Sequence, residues 1–262
     1  MSRSRFALLL AGLAALPHSI PAQEAGGYEA RMARGDSLHD ALDPAAALEE
    51  YREAYLERQT YDAMWKFSRS QVDVAKQLDD DRGDYRDSLY HVAFLYADAA
   101  VRADSTDAEG HFMLSQALGR VSLTKGGKDR VRYAKQIYDA VTRAIELDPG
   151  HDGAYHILGV WHAEILRLSG IARFFAKTFL GADFMNRASW DSAAVYLERA
   201  VELKPEDLLH RYDLAEIYVD IERYADARRQ LEEVLRLEPT VDVLDPQTQA
   251  DAASLLAEIR DQ

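Results

Sequence analysis

The chain has 262 residues, of which 48% are hydrophobic and 29% charged, a composition typical of globular proteins. Its 45 acidic residues outnumber its 31 basic ones, and the resulting formal net charge of −14 disfavours nucleic acid as a partner. Because the chain has no cysteine, disulfides, thiolate zinc sites, iron–sulfur clusters and thiol nucleophiles are excluded.

The first 22 residues have the pattern of a secretory signal peptide. Arg3 and Arg5 precede an apolar run over residues 6–16, and Ala22 is a small residue suited to cleavage before Gln23. The run is too short to span a bilayer, which takes about twenty residues. We therefore predict a signal peptide over residues 1–22, an extracytoplasmic mature protein that is periplasmic or secreted, and no integral membrane segment.

Beyond the signal, the mature chain over residues 28–262 is predicted to form one solenoid domain of helical hairpins. Small residues recur where two helices must approach closely, and large apolar residues recur where the space between them must be filled. The first three hairpins are marked by Gly35, Ala47, Tyr51 and Ala54; by Trp65, Ala93, Ala97 and Ala100; and by Leu114, Ser115, Leu118, Ala144 and Pro149. The third hairpin carries an insertion around Gly126.

The fourth hairpin carries a longer insertion over residues 167–189, and the fifth follows the 34-residue tetratricopeptide pattern closely. Their marker residues are Tyr155, Leu158, Gly159, His162, Trp190, Ala193, Leu197, Ala200 and Pro205, then Leu214, Ala215, Tyr218, Tyr224, Ala227, Leu231, Val234 and Pro239. A last amphipathic helix starts at Asp245 and Pro246. The spacing predicts an all-α, right-handed tetratricopeptide-like solenoid of about five hairpins with a C-terminal capping helix.

Several segments resemble the regulator of microtubule dynamics family, a group of divergent tetratricopeptide proteins. They are residues 158–161 (Leu-Gly-Val-Trp), residues 176–181 (Ala-Lys-Thr-Phe-Leu-Gly), Trp65 with residues 68–70, and the positions of the two insertions. The resemblance implies the fold and no catalytic residues. Eukaryotic members are associated with microtubules, spindle poles or organelle membranes, whereas an extracytoplasmic chain would meet no microtubule. The chain is also similar to periplasmic tetratricopeptide proteins that accompany substrate-binding-protein-dependent transporters.

The sequence lacks the patterns that carry catalysis or metal binding. No HExxH pair occurs, and His156 and His162 lie six apart on different faces of one helix. Phosphate-loop, dinucleotide and nucleophile-elbow patterns are absent. We therefore predict that the protein is not an enzyme, that it binds no cofactor or metal, and that His162 packs in the core.

Two basic segments stand out from the acidic background. Both lie between the two helices of a hairpin, and such turns from successive repeats line one edge of a solenoid. We call this candidate docking surface the basic edge, and its residues are Lys125, Lys128, Arg130, Arg132, Arg173 and Lys177. The expected partner is an acidic protein segment, a carboxylated ligand or an anionic headgroup. The alternative is that these cations pair with the chain's own carboxylates and the neighbouring aromatics pack onto the solenoid.

A second candidate surface is the concave groove lined by the first helix of each hairpin. Its predicted lining is Lys66, Phe112, Gln116, Arg120, His156, Glu164, Tyr212 and Glu216. A mixed polar and aromatic lining suits an extended peptide or a helix. The alternative is that the 167–189 insertion folds across the groove and fills it.

Together these features predict a non-catalytic protein–protein interaction scaffold, with a protein or peptide as partner. A periplasmic ligand-binding or transporter-accessory module is the alternative, and it requires an enclosed cavity beneath Phe174, Phe175 and His156. A peripheral membrane role requires Phe174, Phe175 and Phe179 to be exposed together.

Overall fold

A computed structural model describes residues 27–239 and 242–262, except for the side chains of Asp80 and Phe175. The described residues form twelve α-helices and two short 3-10 helices, and none of them lies in a strand. The predicted signal peptide lies outside this part of the chain. None of the described helices is both long and apolar enough to cross a membrane.

The helices follow one another with short connections. In chain order they are α1 (Tyr28–Asp40), α2 (Pro44–Glu57), α3 (Tyr61–Lys76), α4 (Gly83–Ala103), α5 (Ala108–Leu123), α6 (Gly127–Leu147), α7 (Asp152–Arg167), α8 (Gly170–Leu180), α9 (Trp190–Leu203), α10 (Leu208–Asp220), α11 (Tyr224–Arg236) and α12 (Asp245–Glu258). The 3-10 helices are Asp80–Arg82, before α4, and Asp183–Arg187, after α8.

The five predicted hairpins and the capping helix are confirmed. Helix α1 packs against α2, α3 against α4, α5 against α6, α7 against α9, and α10 against α11, while α12 packs on α10 and α11. First helices of neighbouring hairpins also touch, as α3 touches α5 and α7 touches α10. This is the contact pattern of a solenoid, in which each repeat packs mainly on its neighbours.

Local sequence explains where many of the helices begin. A side chain just before the helix accepts a hydrogen bond from a backbone N–H of the first turn, which otherwise has no partner. Residues that cap in this way are Asp43, Thr60, Asp107, His151, Ser169, Ser189 and Asp207. Pro44 and Pro246 lie in the first turns of α2 and α12, where the proline ring fixes φ near its helical value.

Close helix approach depends on the small residues that marked the repeats. Gly159 on α7 faces α9 so closely that an added Cβ would lie 2.7 Å from Leu197 Cγ and 3.1 Å from the carbonyl oxygen of Ala193. In the fifth hairpin, Ala215 and Ala227 are fully buried beside Leu231. The residues that define the repeat pattern therefore mark positions of helix packing and not of a functional site.

The two insertions form helical structure on one side of the solenoid. The insertion of the third hairpin is the first part of α6, which begins directly after Gly126. The insertion of the fourth hairpin forms α8 and the second 3-10 helix, and α8 makes its main interhelical contacts with α6. Ala176 and Met185 bury this insertion against Trp161 and Ile137. The main helix–helix contact of α8 is thus with α6, the second helix of the third hairpin, and the insertion also packs on Trp161 of the first helix α7.

Candidate interaction surfaces

All eight predicted groove residues lie on first helices, namely α3, α5, α7 and α10. Several are already engaged by other parts of the chain. Lys66 Nζ donates to both oxygens of Asp36 at 2.6 and 2.8 Å, and Phe112 packs against His151 with ring centroids 4.4 Å apart. Gln116 is half-buried, and its Oε1 is buried without a hydrogen-bond partner among the described residues. The Lys66 side of the groove therefore offers little free charge to a ligand.

A histidine–carboxylate network joins α7 to α10. His156 Nε2 lies 2.7 Å from Asp213 Oδ2, and His210 Nε2 lies 3.0 Å from Asp152 Oδ2. The two imidazoles stack with centroids 4.7 Å apart. Burial, reinforced by the neighbouring His156, lowers the pKa of His210, so its ring is neutral near pH 7. The neutral ring donates to Asp152 and ties two neighbouring repeats together.

Arg167, the last residue of α7, continues this network at the other end of the helix pair. Its guanidinium contacts Asp220 at 2.7 Å, Glu164 at 2.9 Å and Glu216 at 3.4 Å. Burial raises the pKa of Glu216, with a further contribution from Asp213. The two predicted groove carboxylates, Glu164 and Glu216, are therefore bound to an arginine of the same chain.

The residues after α11 return to the second hairpin. Lys76 Nζ, whose side chain is only 6% exposed, contacts Asp242 Oδ2 at 2.9 Å and Asp73 Oδ1 at 3.2 Å. Burial opposes the charge, yet the two carboxylates raise the pKa of Lys76 above its usual value. Arg120 lies close enough to Asp242 to help lower the pKa of that carboxyl against the opposing effect of burial. The C-terminal segment is thus anchored by charge to α3 and lies near the end of α5.

His162 is buried, with 4% of its surface exposed, as the repeat pattern predicted. Its Nδ1 accepts a hydrogen bond from the backbone N–H of Ser189 at 3.2 Å, at the point where the insertion ends. Burial lowers the pKa of His162 to about 4. The ring therefore stays neutral and holds the start of α9.

One cluster of the described residues has the composition of a metal site. Asp152, Asp207 and His210 bring one ligand atom each within 4.8 Å of one another. These groups have structural partners: Asp207 Oδ1 caps α10 by accepting from the His210 N–H, and Lys204 Nζ lies 3.4 Å from Asp207 Oδ2. An adjacent ammonium group repels a cation, and the arrangement is that of a helix cap joined to an ion pair.

The basic edge differs from the groove in the pairing of its cations. All six predicted residues lie in or beside the first turns of α6 and on α8, and α8 contacts α6, so the structure brings the two segments to one side. Arg132 pairs with Asp129 at 3.1 Å, and Lys177 donates to Asn186. The side chains of the other four, Lys125, Lys128, Arg130 and Arg173, have no ion-pair or hydrogen-bond partner among the described residues.

Aromatic residues of the insertion divide between core and surface. Phe184 and Met185 pack with Trp161, whereas Phe174 and Phe179 are 62% and 69% exposed. The side chain of Phe175 lies outside the described part of the structure. Surface hollows are found beside His39 and Asp242 and around residues 81–85, and neither is lined by the insertion or by His156.

Sequence reasoning missed Asp213, Asp36, Lys76 and Asp242 as partners of these surfaces. The sequence gives a weak indication of the role of Asp213. This residue directly follows Tyr212, the position in α10 that corresponds to His156 in α7, so it can lie near that histidine. Lys76 and Asp242 are separated by 166 positions and carry no repeat signal. Their pairing depends on how far the solenoid curves.

Sequence comparison now places this architecture in a family. The profile of the family described as "Regulator of microtubule dynamics protein 1-3" matches residues 32–260. The chain belongs to this family. Regulator of microtubule dynamics protein 1 of Bos taurus is 24% identical over 151 residues, which are 58% of this chain and 47% of that protein. The Mus musculus protein of the same name is 24% identical over 176 residues, 66% of this chain and 56% of that one.

The chain spans about half the length of the curated relatives it matches. Among solved structures, TTC0263, a tetratricopeptide protein of Thermus thermophilus, aligns with a TM-score of 0.64 and 20% identity over 88% of this chain and all of that one. The family match and the structural similarity together show a tetratricopeptide solenoid, a fold that indicates a protein-interaction scaffold.

Proposed function

We propose that this member of the family is a non-catalytic scaffold that is recruited to an anionic partner through its basic edge. The proposal rests on Lys125, Lys128, Arg130 and Arg173, whose side chains have no ion-pair or hydrogen-bond partner within residues 27–239 and 242–262, in a chain with a formal net charge of −14. Four free cations on one edge of an acidic protein attract an anionic surface and orient the molecule towards it.

The groove is the weaker candidate for first contact. A ligand that uses Lys66 or Arg167 there must displace internal partners, namely Asp36 from Lys66 or Glu216 and Asp220 from Arg167. Breaking such half-buried pairs costs part of the binding free energy, because each displaced charge must find a new partner. A ligand that contacts Lys125, Lys128, Arg130 and Arg173 breaks no ion pair among the described residues.

A non-catalytic role is supported by the use of the histidines. His156, His162 and His210 each contact a protein group, and these contacts join helices instead of meeting in a cleft. The two hollows described above lie away from Phe174 and His156, so they do not support the alternative of a ligand-binding or transporter-accessory module.

We also propose that the scaffold acts outside the cytoplasm, in the periplasm or after secretion. The support is the sequence of residues 3–22, with its two arginines, apolar run and small residue before Gln23. The names of the curated relatives refer to microtubules, and a secreted chain has no access to them. Mass spectrometry of the protein from its own cells tests this: a mature N-terminus at Gln23 is expected, and an uncleaved N-terminus would contradict the proposal.

Affinity capture with matched variants tests the docking surface. One variant combines Lys128→Glu, Arg130→Glu and Arg173→Glu, and the control combines Arg143→Glu, Arg199→Glu and Arg236→Glu, whose cations pair within their own helices. Both variants change the net charge equally. Captured protein or lipid should be lost with the edge variant and kept with the control. The same material captured by all three proteins, or none by the wild type, would overturn the proposal.

A further inference from the structure

Helix α8 exposes three large apolar side chains to solvent on its outer face. Ile171, Phe174 and Phe179 are 73%, 62% and 69% exposed. Their spacing of three and five residues places them on one side of the helix, and the opposite side carries Ala176, which is 6% exposed and packed in the core.

The apolar face is bordered by the basic edge. Arg173 lies on α8 itself, and α6, which contacts α8, begins beside Lys125 and carries Lys128 and Arg130. Leu123, 64% exposed at the end of α5, adds a further apolar side chain next to Lys125. An apolar helix face next to free cations is the arrangement of helices that lie in a membrane interface, with aromatic side chains among the acyl chains and cations at the headgroups.

Length and shape distinguish between the anionic partners that such a surface can meet. Helix α8 has 11 residues, far fewer than the roughly 20 needed to span a bilayer, so it can lie in the interface but cannot cross it. Helix α8 belongs to the sequence insertion of the fourth hairpin, and its exposed side faces outwards. A protein partner would need a deep complementary groove to cover such an apolar helix face. A fluid bilayer adapts to this face without one.

We propose that α8 inserts its Ile171, Phe174 and Phe179 face into the surface of an anionic membrane while the basic edge contacts the lipid headgroups. This inference rests on the proposed function, because it names the anionic partner of the same edge. The solenoid is then held at the bilayer by one edge, and its other surfaces stay free for proteins.

Vesicle flotation of the purified full chain tests the inference. The vesicles contain equal parts of phosphatidylglycerol and phosphatidylcholine, and pure phosphatidylcholine is the neutral comparison. The wild type should float with the anionic vesicles only. Phe174→Ser with Phe179→Ser should lower the partition coefficient at least tenfold, because two large apolar side chains no longer enter the acyl region. Lys128→Glu with Arg130→Glu should lower the partition coefficient more than tenfold. Removing one positive charge lowers it about fivefold, and each glutamate also adds a negative charge that the anionic headgroups repel.

The matched control replaces apolar residues that are exposed elsewhere. Leu95→Ser with Val195→Ser changes two side chains that are 49% and 58% exposed on α4 and α9, and binding should be unchanged. Circular dichroism of each variant checks that the helical content is kept.

A second measurement reports insertion directly and does not depend on loss of binding. Because the chain has no cysteine, Phe174→Cys can be labelled at a single site with a polarity-sensitive fluorophore. Its emission should shift to the blue with anionic vesicles and should be quenched by spin labels on the lipid chains. The same label at Val195→Cys should show neither effect.

The outcomes separate this inference from the proposed function. Binding that needs the cations but leaves the Phe174 label in water would overturn insertion and keep an anionic docking edge. No vesicle binding, together with an acidic protein captured through the edge, would also overturn the membrane inference while the proposed function stands. If neither vesicle binding nor the capture of a partner depends on the edge cations, both the membrane inference and the proposed function are overturned.

Discussion

The region in and beside the groove and the basic edge differ in how many of their cations contact a carboxylate of the same chain. In and beside the groove, Lys66, Lys76 and Arg167 each contact at least one carboxylate of the same chain at 2.6 to 2.9 Å. At the basic edge, Lys128 and Arg173 have no such partner among the described residues. In a chain with 45 acidic residues carboxylates are plentiful, so the four edge cations without a partner among the described residues hold charge that is available to another molecule.

The same contrast holds for apolar side chains. The row of first helices buries its aromatic and aliphatic residues between repeats, whereas α8 leaves Phe174 and Phe179 largely exposed. We therefore propose that the repeats form the packed body of the molecule and that the insertions form its surface for partners. Four substitutions or conditions test this division, beginning with the largest effect on the free energy of unfolding.

Lys76→Met should destabilise the protein by about 3 kcal/mol, because it leaves the carboxylates of Asp73 and Asp242 partly buried without their cation. Urea unfolding followed by circular dichroism measures the change. Adding Asp242→Asn should recover part of the loss, since one stranded charge is then removed. A Lys76→Met protein as stable as the wild type would show that this pair does not hold the C-terminal segment.

Gly159→Ala should cost about 2 kcal/mol, because the new Cβ would lie 2.7 Å from Leu197 Cγ and close to the backbone of α9. Gly119→Ala is the matched control: Gly119 lies within α5 with nothing near the added Cβ, and the higher helix propensity of alanine should stabilise by about 0.5 kcal/mol. Thermal unfolding compares the two. Equal effects would contradict the close approach of α7 and α9.

The stability of the α7–α9 region should fall as the pH falls through the range between about 6.5 and 4. His162 has a pKa lowered to about 4 by burial, so below its unfolded pKa the unfolded chain binds a proton that the folded one excludes. Between pH 7 and about pH 5 this linkage costs about 1–2 kcal/mol. His162→Asn keeps an acceptor for the Ser189 N–H and should show a smaller loss over the same range. Identical pH profiles would contradict a neutral, buried His162.

The smallest effect on stability is expected at the basic edge. Lys128→Glu, Arg130→Glu and Arg173→Glu together should change the free energy of unfolding by no more than about 0.5 kcal/mol, because none of these side chains has an ion-pair or hydrogen-bond partner in the described part of the chain. Urea unfolding checks this. A larger loss would show that the edge cations belong to the fold, and the contrast between the two surfaces would disappear.

The helices were predictable because their signal is local. Ala215, Ala227 and Leu231 recur at helical spacing, and their burial follows from the period alone. The insertions were harder to predict, because Ala176 and Phe174 are both apolar residues of one short helix and only the position of α6 decides which of them is covered.

Pairings between distant repeats could not be predicted. Arg167 counted as part of a basic insertion in the sequence, yet the crossing of α7 and α10 places it on Asp220 and Glu216. The Lys76–Asp242 contact depends on the summed rotation of three intervening hairpins, which no single residue specifies.

The most direct test of the docking surface is site-specific photo-cross-linking in the cells that make the protein. A photoreactive amino acid replaces Lys128 or Arg173 on the basic edge, or Gln116 or Tyr212 in the groove, one position at a time. We expect adducts with protein or lipid from the two edge positions and few from the groove positions. Adducts from the groove positions alone would contradict this expectation, because the partner would then bind the row of first helices.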